Sequence, residues 1–391
     1  MADPHGGLSS IRMLEKLVSF DTTSRNSNLD LIRFIEDYLG GLGVGSHLVY
    51  DEAGTKANLY ATLGPTDRGG VILSGHTDVV PVDGQKWATD PFALTERDGR
   101  LYGRGSCDMK GFDAVVLAMV PEFLSRDLRV PIHLAFSYDE EVGCIGVRRL
   151  IERLGEFGAK PTMCVVGEPT DMKVMTGHKG KKSVRCTVRG AACHSSLAPQ
   201  GVNAIEYAAE AIAHMKAMAR RIQREGPFDP LFDVPHTTIH TGVIQGGEAL
   251  NIVPDLCVFD AEIRVIPQDD AESLFAEIES YVDRILIPEM RAVDPAAGFD
   301  WEEIFAFPGL DTDPEAEVVR LAKSCAERND HEKVAYGTEG GLFQQMGGIP
   351  TVIVGPGSIE QAHKPDEFIT VDQIGRCERF MRRLLDQLTA P

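Results

Sequence analysis

The sequence predicts an α/β fold with a mainly parallel sheet, interrupted by an inserted domain of the α+β class. Segments with apolar residues at helical spacing alternate with short apolar strands up to about residue 181. The order then changes to strand, helix, strand, strand and helix, and the first alternation resumes near residue 308. We therefore expect an α/β domain made of residues 1–181 and 308–391, with residues 182–307 inserted into it. A length of 391 residues also favours two domains over one.

The first part of the α/β domain begins with two amphipathic helices. Apolar residues recur every three or four positions, as Ile11, Leu14 and Leu17 do in the first helix. The predicted helices are 10–20, 29–42 and 111–124, and the predicted strands are 58–63, 71–74, 132–137 and 163–166. Because these strands are short and almost wholly apolar, we expect them to be buried in a sheet that helices cover.

The inserted segment has a different pattern. Apolar and polar residues alternate with period two over 183–189, which predicts a strand with one buried face. Further strands are predicted at 237–244, 256–265 and 299–305, and helices at 203–224 and 271–286. After the insertion, the sequence predicts a helix at 314–328, a strand at 350–354 and a closing helix at 371–388.

Charge and composition disfavour some kinds of partner and location. The formal net charge is −20, which disfavours nucleic acids and anionic membranes as partners, because both require a basic surface. The sequence has no apolar run long enough for a transmembrane helix and no visible secretory signal. The eight cysteines are scattered without a C-x-x-C pair, which fits free thiols in a reducing compartment. We therefore expect a cytoplasmic protein.

Metal-binding side chains follow several of the predicted strands. They are His76, Asp78, Asp108, Glu140, Glu141, Glu168 and His363. Because the strands of an open α/β sheet place functional residues at their carboxyl ends, we expect these side chains to lie together. Two imidazoles and several carboxylates are suitable ligands for one or two zinc-like ions. The sequence therefore predicts a hydrolytic metalloenzyme.

Each of these signals alone has a plain alternative. His76 and Asp78 could belong to a solvated turn, the acidic residues 139–141 to an exposed surface, and His363 to a solvated loop. The glycine-rich loop around Asp108 could bind phosphate at a helix N-terminus, but it lacks both the G-K-[ST] ending and the G-x-G-x-x-G spacing. The prediction depends on the combination of these signals.

The motifs around these residues resemble those of the M20 co-catalytic zinc hydrolases. They are SGHTDVVP at 74–81, GRGSCDMKG at 103–111, DEE at 139–141, GEPT at 167–170 and VGPGSIEQAHKPDE at 354–367. The resemblance covers nearly the whole chain, including the insertion. It implies a zinc-exopeptidase-like α/β/α catalytic domain that carries an inserted ferredoxin-like lid and dimerisation domain, and therefore a homodimer.

The resemblance also implies a set of metal ligands for two divalent ions, zinc or cobalt. Asp108 would bridge the two ions. His76 and Glu168 would complete the site of one ion, and Glu141 and His363 the site of the other.

Catalytic roles follow from the same resemblance. Glu140 would be the general base and Asp78 would support the ligand histidine before it. In the insertion, His194 resembles a lid histidine that stabilises the oxyanion from the partner subunit, although Cys193 stands where the family usually has a smaller residue. Asn251 and Arg264 match lid positions that contact substrate, and a guanidinium fork would suit a substrate carboxylate.

The loop around Thr338 and Glu339 bears on the substrate. Leu342 stands where relatives that hydrolyse succinyl-diaminopimelate carry an arginine suited to a second carboxylate. An acidic Glu339 without that arginine favours N2-acetylornithine, an intermediate of arginine biosynthesis, although Glu339 could equally be a solvated loop residue. Alternatives are another N-acyl amino acid, a dipeptide, or a metal-dependent binding protein without activity.

Overall fold

A computed structural model describes residues 7–389 of the chain. The described residues form two compact units. One contains residues 7–177, 310–333 and 338–389, and the other contains residues 178–309 and 334–337. Within residues 7–389, none of the helices combines the length and the apolar character that crossing a membrane requires.

The first unit begins with two helices and then alternates strands with helices. Its elements before the second unit are α1 Ser10–Val18, α2 Leu29–Gly41, β1 Ser46–Tyr50, β2 Ala57–Leu63, β3 Val71–His76, β4 Thr95–Arg97, β5 Arg100–Tyr102, α3 Lys110–Leu124, β6 Ile132–Ser137, α4 Gly146–Arg153, β7 Met163–Val166 and β8 Met175–His178. Every residue of β3, β6 and β7 is buried, as expected for the centre of a sheet that is covered on both faces.

The second unit is an antiparallel sheet with helices. Its elements are β9 Gly180–Arg189, α5 Ala204–Glu225, β10 Thr238–Gly246, β11 Leu256–Val265, α6 Ala271–Tyr281, α7 Ile287–Val293 and β12 Gly298–Phe307. The strands lie in the order β10-β11-β9-β12, and each neighbouring pair is antiparallel. This order of strands, with a helix after the first and third, is the ferredoxin-like arrangement.

The chain then completes the first unit. The remaining elements are β13 Leu310–Asp311, α8 Glu317–Ala326, β14 Glu332–Val334, α9 Gly340–Gln345, β15 Thr351–Ile353, β16 Phe368–Thr370 and α10 Val371–Leu388. Helices α8 and α10 pack against each other, and α10 also packs on α3, whereas α4 packs on β2, β6 and α9. These helices and the sheet form the main apolar core, which includes Phe112, Phe123 and Phe136.

The centre of the large sheet determines where a site can form. The strand order is β1-β2-β6-β3-β7-β15-β8-β13, and the adjacent central strands β6, β3, β7 and β15 run parallel. The edge strands β1 and β2 are antiparallel to their neighbours. The predicted fold class is confirmed: a mixed sheet with a parallel centre and a separate α+β insertion. The carboxyl ends of the four central strands meet at one edge.

Candidate metal centre

The first donor group lies at the ends of β3 and β7. His76 is the last residue of β3 and is 1% exposed. Its Nε2 lies 3.1 Å from Oδ1 of Asp108 and 3.7 Å from Oε1 of Glu168. Glu168 follows β7 by two residues, and β7 is the parallel neighbour of β3. The pairing of the two strands therefore brings an imidazole and a carboxylate together.

The second donor group shares Asp108 with the first. Nε2 of His363 lies 3.2 Å from Oδ2 of Asp108 and 3.1 Å from Oε2 of Glu141. Within residues 7–389, the three donor atoms of each group lie within 4.8 Å of one another. Because one oxygen of Asp108 faces each group, this carboxylate has the position of a bridge between two ions.

The loop that carries Asp108 depends on glycine. Gly105 has a φ of +79°, a conformation that a residue with a Cβ rarely adopts. After this turn, α3 begins at Lys110, and its residue Phe112 packs so close to Gly167 that a Cβ there would lie 2.0 Å from the ring. The close approach places the start of α3 against the segment that carries Glu168.

The electrostatics of the two groups fit divalent cations. Burial, together with the nearby charge of Asp108, raises the pKa of Glu141 to about 7, and burial also raises the pKa of Glu168. Hydrogen bonds to Asp108 and Glu141 raise the pKa of His363 to about 10. Among the described residues, nothing donates a hydrogen bond to the buried Oε1 of Glu141. Buried carboxylates so close together repel unless a cation lies between them, and this donor set suits zinc or cobalt.

Glu140 lies beside the two groups and belongs to neither of them. Its backbone N–H donates to Oδ1 of Asp78 at 3.1 Å, and the N–H of Glu141 donates to Oδ2 at 3.3 Å. Asp78 thus connects the end of β3 to the segment after β6. Nδ1 of His76 lies 2.9 Å from the backbone carbonyl of Asp78 and 3.6 Å from its carboxylate. The Cys144 thiol donates to Oε1 of Glu140 at 3.2 Å.

Three residues that the sequence indicates for the site belong to the second unit. Nδ1 of His194 lies 2.8 Å from Oγ of Ser196, and the carbonyl of Asn251 accepts the N–H of Ser195 at 3.0 Å. His194 and Asn251 are therefore on adjacent segments, and both are exposed. Arg264 lies on β11, where its Nε donates to Glu262 at 2.8 Å.

Thr338 and Glu339 are buried in the first unit. Oγ1 of Thr338 accepts the N–H of Gly340 at 3.0 Å. The carboxylate of Glu339 is 1% exposed and accepts hydrogen bonds from the hydroxyls of Ser137 and Ser74, the latter at 3.3 Å. Burial raises the pKa of Glu339 to about 7. In this structure neither side chain reaches an open surface.

Sequence reasoning did not single out one buried ion pair beside the site. Nη1 of Arg104 donates to Oε2 of Glu367 at 2.7 Å, and each side chain is 1% exposed. Both residues lie inside the motifs that the sequence analysis used, at 103–111 and 354–367. Arg104, a charged residue inside a glycine-rich motif, could have indicated such a pair, because charged residues are rarely buried without a partner.

Comparison with known proteins defines the class of the molecule. Residues 72–387 match the model of peptidase family M20/M25/M40. The chain belongs to this family and is a hydrolase of the M20 type. It is 33% identical over 394 residues to an acetylornithine deacetylase from Pasteurella multocida, a match that covers 97% of this chain and 98% of the relative.

Solved structures show the same fold. A tripeptidase from Staphylococcus aureus superimposes with a TM-score of 0.75 at 22% identity, over 97% of each chain. A dinuclear metal-binding peptidase of the M20 family from Bacillus subtilis superimposes with a TM-score of 0.65 at 14% identity, over 97% of this chain and 98% of the other. At these identities the likeness concerns the fold alone.

Proposed function

We propose that the protein is a metal-dependent amidohydrolase that uses two divalent ions, zinc or cobalt, per chain. The observation that carries this proposal is the pair of donor groups that share Asp108, with Glu140 beside them and outside both. His76 and Glu168 would complete one ion site, and Glu141 and His363 the other. Two ions held in this way would activate a water molecule and polarise the carbonyl of the scissile amide.

The chain's own residues would supply the proton transfers. Glu140 accepts a proton from the attacking water and returns it to the nitrogen of the leaving amine. Burial raises the pKa of Glu140, which helps its carboxylate to accept a proton. Asp78 keeps the backbone of Glu140 in place through the hydrogen bond at 3.1 Å. The C–N bond of the amide breaks, and the products are a carboxylate and a free amine.

We further propose that the protein acts as a homodimer in which His194 serves the partner's site. The support is the family resemblance of the lid motif, together with the exposure of His194 in the second unit. A contact between Nδ1 and Ser196 orients the ring. A donor held in place in advance can stabilise the oxygen of the amide as it gains negative charge.

The proposed substrate is N2-acetylornithine, which would yield acetate and ornithine in arginine biosynthesis. The nearly full-length similarity to the Pasteurella acetylornithine deacetylase supports this choice. Arg264 would bind the α-carboxylate and Asn251 the amide, while Thr338 and Glu339 would lie near the distal ammonium. The eight free cysteines support a cytoplasmic location.

The burial of Glu339 favours a second candidate. Because its carboxylate is bonded to Ser137 and Ser74, contact with a substrate ammonium requires it to leave one of these partners. If Glu339 only supports the site, its charge does not favour N2-acetylornithine, and another N-acyl amino acid or a small peptide becomes the second candidate substrate. Fold and metal site do not determine this choice.

Amine release from a substrate panel tests the proposal. The panel contains N2-acetylornithine, N-acetylmethionine, N-succinyl-diaminopimelate and a tripeptide, each with zinc- or cobalt-loaded protein. We expect the highest kcat/KM for N2-acetylornithine and no activity after chelation. A higher kcat/KM for another member would replace the substrate assignment, and inactivity on all of them would contradict an amidohydrolase.

A further inference from the structure

His363 is held differently from the other proposed ligands. Its side chain is 52% exposed, and its backbone has a φ of +62°, which is unfavourable for a residue with a Cβ. His76, in contrast, is fixed by a buried strand. Packing of its own side chain therefore does not fix His363, and other contacts must hold its backbone in place.

Hydrogen bonds to backbone carbonyls supply these contacts. Nε2 of Gln85 donates to the carbonyl of His363 at 3.1 Å, and Nη1 of Arg104 donates to the carbonyl of Lys364 at 3.3 Å. Gln85 is itself oriented, because its Oε1 accepts Nη2 of Arg104 at 2.6 Å and Nε1 of Trp87 at 3.0 Å.

Glu367 joins the same network to the loop of Asp108. Its Oε1 accepts the N–H groups of Cys107 at 2.8 Å and Asp108 at 3.1 Å. Its Oε2 accepts the N–H of Gly105 at 3.1 Å, besides the guanidinium of Arg104. One buried carboxylate thus fixes the backbone of the loop that carries the shared ligand.

We infer that Gln85, Arg104 and Glu367 form a positioning cluster that holds the His363 loop and the Asp108 loop at the separation that two ions require. The inference rests on the proposed two-metal function. Residues behind a ligand commonly control metal affinity, because they fix the orientation of the ligand before the ion binds. The amide nitrogen of Gln85 donates to the backbone of His363, whereas the carboxylate of Glu367 accepts from the backbone of Asp108, which would serve both ions. The two residues should therefore affect the two ions differently.

Cobalt titration of metal-free protein, followed by calorimetry and by the visible absorption of the bound cobalt, tests this difference. Wild type should bind two ions per chain, and His363→Ala identifies the binding step that belongs to the His363 side. Gln85→Leu should weaken that same step by about 10- to 100-fold and leave the other unchanged. Glu367→Gln should weaken both steps. Gln344→Leu is the matched control, because the Gln344 amide also bonds to backbone groups, those of Asp311, but lies outside the cluster.

The outcomes separate this inference from the proposed function. If wild type binds two ions but Gln85→Leu has the same cobalt affinities as Gln344→Leu, the positioning cluster alone is overturned. The same holds if Gln85→Leu weakens both binding steps equally. One wild-type ion or none would overturn the two-metal proposal and this inference together. If Gln85→Leu does not fold, Gln85→Glu tests the same donor, because it keeps the acceptor for Arg104 and Trp87 but sets a carboxylate oxygen against the carbonyl of His363.

Discussion

Glu140 and Glu141 are neighbours in the chain, but their side chains have different surroundings. Oε2 of Glu141 lies 3.1 Å from Nε2 of His363, a proposed metal ligand. Oε1 of Glu140 instead accepts a hydrogen bond from the thiol of Cys144. Because Asp78 holds both backbone N–H groups, the two carboxylates are fixed in different directions. One can therefore bind an ion while the other transfers protons.

Glu140→Gln tests this division of roles. The amide has nearly the shape of the carboxylate but cannot accept a proton from water. We expect kcat to fall by about 10²- to 10⁴-fold, the usual contribution of general base catalysis, while two ions remain bound. Metal analysis and steady-state kinetics on the same preparation measure both quantities. A kcat within a few-fold of wild type would assign proton transfer to another group.

Glu339→Gln distinguishes the two roles that Glu339 could have. A contact between its carboxylate and the substrate ammonium would be worth about 1.5–3 kcal/mol, so kcat/KM for N2-acetylornithine should fall about 10- to 150-fold. The value for uncharged N-acetylmethionine should change much less. Equal losses on both substrates would show that Glu339 supports Ser137 and Ser74 and does not read the substrate.

At the scale of residues, the sequence predicted which residues form the site better than it predicted the contacts between them. His76 and Glu168 could be placed together because both follow predicted strands of a mainly parallel sheet, whose carboxyl ends meet at one edge. The pair of Arg104 and Glu367 could not be predicted, since 263 residues separate its members and one sequence carries no signal for such a distant contact. Burial of Glu339 was equally hidden, because a short loop gives no periodicity from which to infer its inner face.

At the scale of elements, length and periodicity decided what could be predicted. Strands β6, β7 and β11 have the predicted bounds, as does helix α10, because each has a clear apolar run or a regular apolar pattern. The predicted helix 271–286 is divided in the structure. Helix α6 ends at Tyr281, and a π-helical turn, Val282–Leu286, connects it to α7. Strands β4, β5 and β16 have three residues each, too few for a recognisable period.

Strand β6 carries a histidine that should make stability depend on pH. His133 is 3% exposed, its Nδ1 lies 3.0 Å from Oγ1 of Thr62, and burial lowers its pKa to about 4. The unfolded chain binds a proton near pH 6.5, so the histidine's contribution is complete above that pH and is lost as the pH falls towards 4.

His133→Val removes this titration from the strand. Between pH 7 and pH 5, the free energy of unfolding of wild type should fall by about 2 kcal/mol more than that of the variant. Urea unfolding of both proteins at the two pH values measures the difference. A constant difference between wild type and variant would mean that the pKa of His133 is the same in the folded and the unfolded state.

At the scale of the whole molecule, the residues of the proposed site belong to two units. The first holds both donor groups and Glu140, and the second holds His194, Asn251 and Arg264. The family and the fold class were both predicted correctly from the sequence, because the motifs extend over most of the chain and the change from alternating to antiparallel pattern marks the insertion. The homodimer that the resemblance implies stays a prediction, since the contacts between subunits depend on surface shape that one sequence does not reveal.

Mixing two inactive variants tests whether the catalytic site is shared between subunits. If His194 serves the partner's site, His194→Ala and Glu140→Gln should each be inactive, but a mixed dimer should have one site with both residues intact. Random exchange of subunits makes half of the dimers mixed, so about a quarter of the wild-type activity should return. Differently tagged subunits allow the mixed dimer to be purified and assayed directly. A purified mixed dimer without activity would place His194 in the site of its own chain, and full activity of His194→Ala alone would place it outside catalysis. A strictly monomeric protein would contradict the shared site altogether.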